Sequence, residues 1–240
     1  MPIIVGNWKM NGVLDSLGEV ERIARGVAAM PADVRLALPA TLIALAASKG
    51  EALTIGAQDV HPEPCGPRTG SISASMLRDA GARFTLVGHS ERRPPQGSDD
   101  DERVGVKLRA ARTAGLAVIL CVGETADDRR AGKADSVVVE QIRRALPDAV
   151  DGRWLTIAYE PRWAIGSGSL PSLEEIAAMH ETIRSAVQAI AAYKVPLLYG
   201  GSVTSANARD ILSIDSVDGL LVGNASLTAD RFVPIVAAAA

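Results

Sequence analysis

The sequence predicts a single-domain α/β protein folded as a closed (β/α)8 barrel. Three observations carry this reading: eight short apolar runs, amphipathic helix patterns between most of them, and a length of 240 residues, enough for one large core. Eight strand-helix repeats in that length suit a closed barrel better than an open doubly wound sheet. The open sheet stays as the competing arrangement, because the run from Leu53 is weakly separated from its neighbour. Against it, no G-x-G-x-x-G follows the first run to form a dinucleotide site.

The runs are IIVGN from Ile3, VRLALP from Val34, LTIGAQ from Leu53, FTLVGHS from Phe84, AVILCVGE from Ala117, LTIAYEP from Leu155, PLLYGGS from Pro196 and GLLVGNA from Gly219. Most are too short for helices, rich in Val, Ile and Leu, and closed by glycine or polar residues. Strands buried on both faces read this way. After the first run, Leu17, Val20, Ile23 and Val27 fall on one helical face; after the sixth, Leu173, Ile176, Ile183, Val187 and Ile190 do the same. The second of these helices opens on a capping box, Ser172 with Glu175. The acidic run Asp99-Asp100-Asp101-Glu102 reads as the first turn of a further helix capped at Ser98, since negative charge is favoured at a helix N-terminus.

Composition narrows the partners. A formal charge of -3, from 25 Lys+Arg against 28 Asp+Glu, comes without a basic cluster or interleaved aromatics, so no nucleic acid is expected. Cys65 and Cys121 form no metal-type or redox spacing. An apolar strand pattern already begins at Ile3, which leaves no room for a signal peptide. No apolar stretch approaches the roughly 20 residues that span a membrane. The expectation is a cytoplasmic protein with reduced thiols and no membrane partner.

In a barrel, reactive groups gather at the carboxyl ends of the strands, where the βα loops share one mouth. The first run ends in Asn7-Trp8-Lys9, the fourth in Gly88-His89-Ser90-Glu91 and the sixth in Glu160. Together they offer an ammonium, an imidazole and a carboxylate, the groups needed to move protons. The seventh and eighth runs end in Gly200-Gly201-Ser202 and Gly223-Asn224, whose backbone N–H groups suit a phosphate. Taken singly, each has a plainer reading. Glu160 alone is a solvated strand-end carboxylate, and Lys9 a surface lysine or the Schiff-base nucleophile of an aldolase. His89 alone is a satisfied core histidine, and His61 and His180 keep that structural reading. The acidic run is no metal site.

The motifs "GNWKMN", "GAQDVH", "GHSERR", "CVGE", "AYEPRWAIGSG", "YGGSV" and "LVGNASL", in this order over nearly the whole chain, resemble the triosephosphate isomerase family. That family gives the TIM barrel its name. The resemblance implies cofactor-free, metal-free interconversion of dihydroxyacetone phosphate and D-glyceraldehyde 3-phosphate through an enediol, in glycolysis and gluconeogenesis. It makes Glu160 the base, His89 a neutral electrophile, Lys9 the cation beside the developing enediolate and Asn7 an orienting group. It also implies a phosphate held by Gly166, Ser202, Gly223 and Asn224, under a lid running from Pro161 and Trp163 through Gly168; this family's lid is itself the usual illustration of loop gating. A homodimer is implied as well, with the Thr69 loop reaching the partner subunit.

Several positions depart from the family pattern. After "GHSERR" a usual Glu near the catalytic lysine is replaced by Ser98 or Asp99, which leaves the charge balance around Lys9 open. In the third loop, Thr69-Gly70-Ser71 also lacks a usual Glu. Arg162 stands for Val in the first hinge, Asn224 for the second glycine of the phosphate loop, and Pro171 for Ala in the second hinge. The family's closed lid bonds a tyrosine matching Tyr199 to the backbone N–H at the Pro171 position, and proline has none. These changes motivate the alternative of a related isomerase acting on a four-carbon ketose phosphate.

Overall fold

The computed structural model describes residues 1–49, 52–147, 150, 152–165, 170–191 and 193–239. Eight strands lie in it: β1 Ile3–Asn7, β2 Asp33–Leu38, β3 Thr54–Ala57, β4 Phe84–Val87, β5 Ala117–Val122, β6 Leu155–Tyr159, β7 Leu197–Tyr199 and β8 Gly219–Val222. Each coincides with one of the apolar runs. All pair in parallel with their sequence neighbours, and β1 pairs with β8, Ile3 opposite Gly219 and Gly6 opposite Val222, so the sheet closes as a barrel. The open-sheet alternative is thereby excluded.

Helices cover the outside: α1 Leu17–Val27, α2 Ala40–Ala47, α3 Ala74–Asp79, α4 Asp101–Thr113, α5 Ala126–Arg130, α6 Ala134–Ala145, α7 Leu173–Gln188, α8 Ala208–Leu212 and α9 Ala229–Ala238. In α1 the buried residues are Leu17, Val20, Ile23, Ala24 and Val27, the face expected from the spacing. Ser172 caps α7 and forms the expected box with Glu175. Two residues leave the expected α7 face. Leu173, in the first turn, is 41% exposed, and Ile190 lies beyond the helix end. No helix among the described residues is long and apolar enough to cross a membrane.

The acidic run folds differently from expectation. Ser98 is not the cap of α4: Asp100 is, its Oδ1 accepting the Arg103 N–H at 2.8 Å. Asp99 lies before the helix and is fully buried, with Oδ2 2.6 Å from Lys107 Nζ. The cause is Lys107, a core position of α4, whose ammonium reaches both Asp59 and Asp99. A buried cation needs paired carboxylates, so Asp99 turns inward and the next aspartate takes the cap.

His180 on α7 keeps its structural reading. It is fully buried against Tyr159 and Tyr199, with Nδ1 3.2 Å from the Ser216 carbonyl oxygen. Burial pushes its pKa down to about 4 from 6.5. The unfolded chain therefore binds the extra proton first, and stability is lost as pH falls from 6.5 towards 4. The expected loss from this group is about 3 kcal/mol. Urea unfolding of the wild type and His180→Asn across that window checks it, since the variant lacks the contribution; parallel pH profiles would contradict it.

Candidate active site

Successive side chains of a strand point to opposite faces, so alternate residues fill the barrel. The interior holds Ile3, Val5, Ala37, Phe84, Leu86, Ile119, Cys121, Ala158, Leu198 and Leu221. Two residues beyond Val5, Leu86, Cys121, Ala158, Leu198 and Leu221 stand Asn7, Gly88, Gly123, Glu160, Gly200 and Gly223. Where the core would add another layer, the chain supplies glycines and two polar side chains. A cavity of about 860 Å³ opens there, at the carboxyl ends of the strands. Asn7, Lys9, His89, Glu160, Ser202, Gly223 and Asn224 all line it. Gly166 lies outside the described residues, as does the part of the expected lid from Gly166 through Gly168.

Glu160 is 3% exposed, and its backbone N–H continues the β5–β6 ladder to the Val122 carbonyl at 2.8 Å. A Cβ on Gly123 would come within 1.8 Å of the Glu160 carbonyl oxygen, so only glycine lets the β5 loop approach this backbone. The Glu160 carboxylate accepts the Ser90 N–H at 2.9 Å through Oε2, and its Oε1 lies 3.0 Å from His89 Nε2. His89 Nδ1 accepts the Glu91 backbone N–H at 3.2 Å, which assigns the ring proton to Nε2, facing Glu160. Burial pushes the His89 pKa down, but the charge and hydrogen bond of Glu160, with the charge of Glu91, together outweigh it and the net direction is up. Burial likewise pushes Glu160 up, and His89, the Ser90 N–H and Lys9 together bring it below 4.5. A carboxylate facing a neutral Nε2–H imidazole satisfies these contacts.

Lys9 is in the left-handed region, φ 53°, an uncommon state for a side-chain-bearing residue. Two side chains hold it. Asn7 Oδ1 accepts the Lys9 N–H at 3.0 Å, and Gln58 Nε2 donates to the Lys9 carbonyl at 2.8 Å. The Lys9 ammonium meets Glu91 Oε1 at 2.6 Å. The charge balance left open around Lys9 is met by a carboxylate of the "SERR" segment, and Asp99 faces Lys107 instead. Ser90, Glu91 and Gln58 escaped the sequence reading. The nearness of Ser90 and Glu91 to His89 in one strand-end motif was the available signal.

At the opposite side, Ser202 follows Gly200-Gly201, and Gly223 precedes the 3-10 turn Asn224–Leu227. Asn224 is exposed and its backbone is not left-handed. Next to Glu160, Trp163 Nε1 donates to Glu124 Oε1 at 2.8 Å and Arg129 stacks over its ring at 4.6 Å. Tyr159 donates its hydroxyl to the same Glu124 oxygen at 3.1 Å. These contacts stiffen the first hinge segment.

A sequence profile of the family described as Triosephosphate isomerase matches residues 2–239. The chain belongs to the triosephosphate isomerase family. The triosephosphate isomerase of Ruegeria sp. (strain TM1040) is 46% identical over 241 residues, covering 99% of this chain and 98% of the relative. That of Xanthobacter autotrophicus (strain ATCC BAA-1158 / Py2) is 45% identical, covering 98% and 96%. Among solved structures, the triosephosphate isomerase crystal structure from Bartonella henselae superposes with a TM-score of 0.90 at 39% identity, covering 99% of this chain and 98% of that one. Membership in the triosephosphate isomerase family agrees with the closed barrel and its polar mouth.

Proposed function

We propose that this protein interconverts dihydroxyacetone phosphate and D-glyceraldehyde 3-phosphate in glycolysis and gluconeogenesis, as a cytoplasmic enzyme. The observation that carries the reading is the Glu160 carboxylate 3.0 Å from the His89 Nε2–H, in a mouth that also holds the Lys9 ammonium. In the proposed cycle, Glu160 takes the proton from the carbon beside the carbonyl, and that C–H electron pair moves into the enediolate. Lys9 stabilises the new negative oxygen, Asn7 orients it, and His89 moves a proton between the two oxygens. Glu160 then returns its proton to the neighbouring carbon. Ser202, Gly223 and Asn224, with Gly166, hold the phosphate. The second partner is another copy of the chain: exposed Met10 and Val13, at 97% and 69%, and the exposed Thr69 loop support a homodimer.

A coupled assay offering triose and tetrulose phosphates side by side tests the substrate. Turnover of the triose phosphate with little of the four-carbon compound is expected; preference for the tetrulose phosphate, or for neither, would overturn it. The phosphate role of Asn224 is backbone only, because a 3-10 turn presents its N–H groups whatever the side chain. Asn224→Gly should accordingly change KM by less than about fivefold, under roughly 1 kcal/mol. Steady-state kinetics check this, and a larger shift would assign the side chain a direct part.

A further inference from the structure

The cavity has a second cationic wall, away from the glycine-rich side. Between the loops that follow β4, β5 and β6 it is lined by Pro95, Gln96, Thr125 and Arg162. Arg162 is half-buried and donates one hydrogen bond, from Nη2 to the Pro94 carbonyl at 2.5 Å. It forms no ion pair among the described residues. One bond leaves most of a guanidinium's N–H donors unassigned. Burial and the neighbouring Arg93 both push its pKa below the usual arginine value, against the upward pull of Glu160 and Asp128.

The carboxylates around it are committed elsewhere. Glu160 is held by His89 and Ser90, and Asp128 by Thr125. A cation held partly out of water beside another cation is short of negative charge. The Gln96 amide, exposed in the same wall, has no hydrogen-bond partner among the described residues and adds further donors. A three-carbon phosphate does not fill a cavity of about 860 Å³, a size at the upper end of ligand pockets.

We propose that Arg162 and Gln96 form an anion subsite across the mouth from the glycine cradle, taking the second acidic group of a four-carbon sugar-acid phosphate or sugar-alcohol bisphosphate. The proposal rests on the phosphate reading of Ser202 and Gly223. Such a ligand carries no aldehyde or ketone, so it is not isomerised and acts as a competitive inhibitor. Selectivity comes from its second charge, because charge-assisted hydrogen bonds to a guanidinium are stronger than neutral ones.

Three probes test it by competitive inhibition of triose phosphate turnover at fixed ionic strength: erythritol 4-phosphate, 4-phosphoerythronate and erythritol 1,4-bisphosphate. The wild type should bind at least one of the two-ended anions about tenfold or more tightly than the one-ended ester, a gain of about 1.4 kcal/mol. Whichever is tighter identifies carboxylate or phosphate as the preferred group. Arg162→Gln should erase that advantage while changing erythritol 4-phosphate less than about twofold. Arg162→Lys should restore part of it, and Gln96→Leu should reduce it in a site with Arg162 intact. Equal inhibition by all three probes, or an equal loss for all three in Arg162→Gln, would overturn the subsite. Failure of erythritol 4-phosphate itself to compete would remove the cradle reading, and the proposal with it.

Discussion

Replacing Glu160 by glutamine lowers kcat at least about 1000-fold, since loss of a general base typically costs about 100- to 10,000-fold and this base serves both proton transfers. The amide has nearly the carboxylate's shape. Its oxygen can still accept the Ser90 N–H, which in the wild type lies 2.9 Å from Glu160 Oε2, and the fold is retained. What disappears is the capacity to take a proton from carbon. A second consequence reads out separately: the carboxylate is what raises the His89 pKa, and burial pulls the other way. In Glu160→Gln burial remains, so the imidazole pKa falls, and an NMR titration of His89 in both proteins measures that shift. Undiminished turnover in the variant would refute the assignment of the base.

Lys9→Met leaves no measurable turnover. Removing a single hydrogen-bond donor to a developing oxyanion typically costs about 100- to 1000-fold, and here a full positive charge is lost. The fold should tolerate the change. Methionine meets the same left-handed backbone, and the Asn7 and Gln58 bonds that hold it go to main-chain atoms. Glu91, deprived of its partner, is 51% exposed and remains hydrated. Borohydride should trap no substrate on the wild-type protein, because Lys9 acts through its charge and not as a nucleophile. A covalent adduct seen by mass spectrometry would instead favour Schiff-base chemistry at this lysine.

Most strands were legible because burial on both faces favours short, nearly continuous apolar runs, as in AVILCV; β2 departs from this, with Asp33 and Arg35 partly exposed. The mouth was legible for a related reason: Asn7 and Glu160 continue the inward alternation past the last core layer. Other features depend on contacts that no local pattern announces. Glu91 meets Lys9 across 82 residues of sequence. Lys107 reads as a polar interruption in the apolar face of α4, yet it is a core residue that draws Asp99 inward and moves the helix cap to Asp100. Leu173 has the right spacing for its helix, yet it stands exposed in the first turn of α7. Arg162 was legible as a departure from the family, and only the cavity showed what it faces.

The closure of β1 against β8 has a consequence for biosynthesis. Lys9, at the end of β1, is made before the other seven strands and is among the last residues to be seated. Until Gly219–Val222 emerge, β1 has only β2 beside it, and the Gly223 segment that packs against the Lys9 side chain is still unmade. Bringing together strands so far apart in sequence means closing almost the whole chain as a loop, a contact that folding reaches late. A nascent chain can therefore bury much of its apolar surface and yet lack a positioned ammonium. Isomerisation then depends on β8, and a chain cut before Gly219 is silent towards its substrate even when compact.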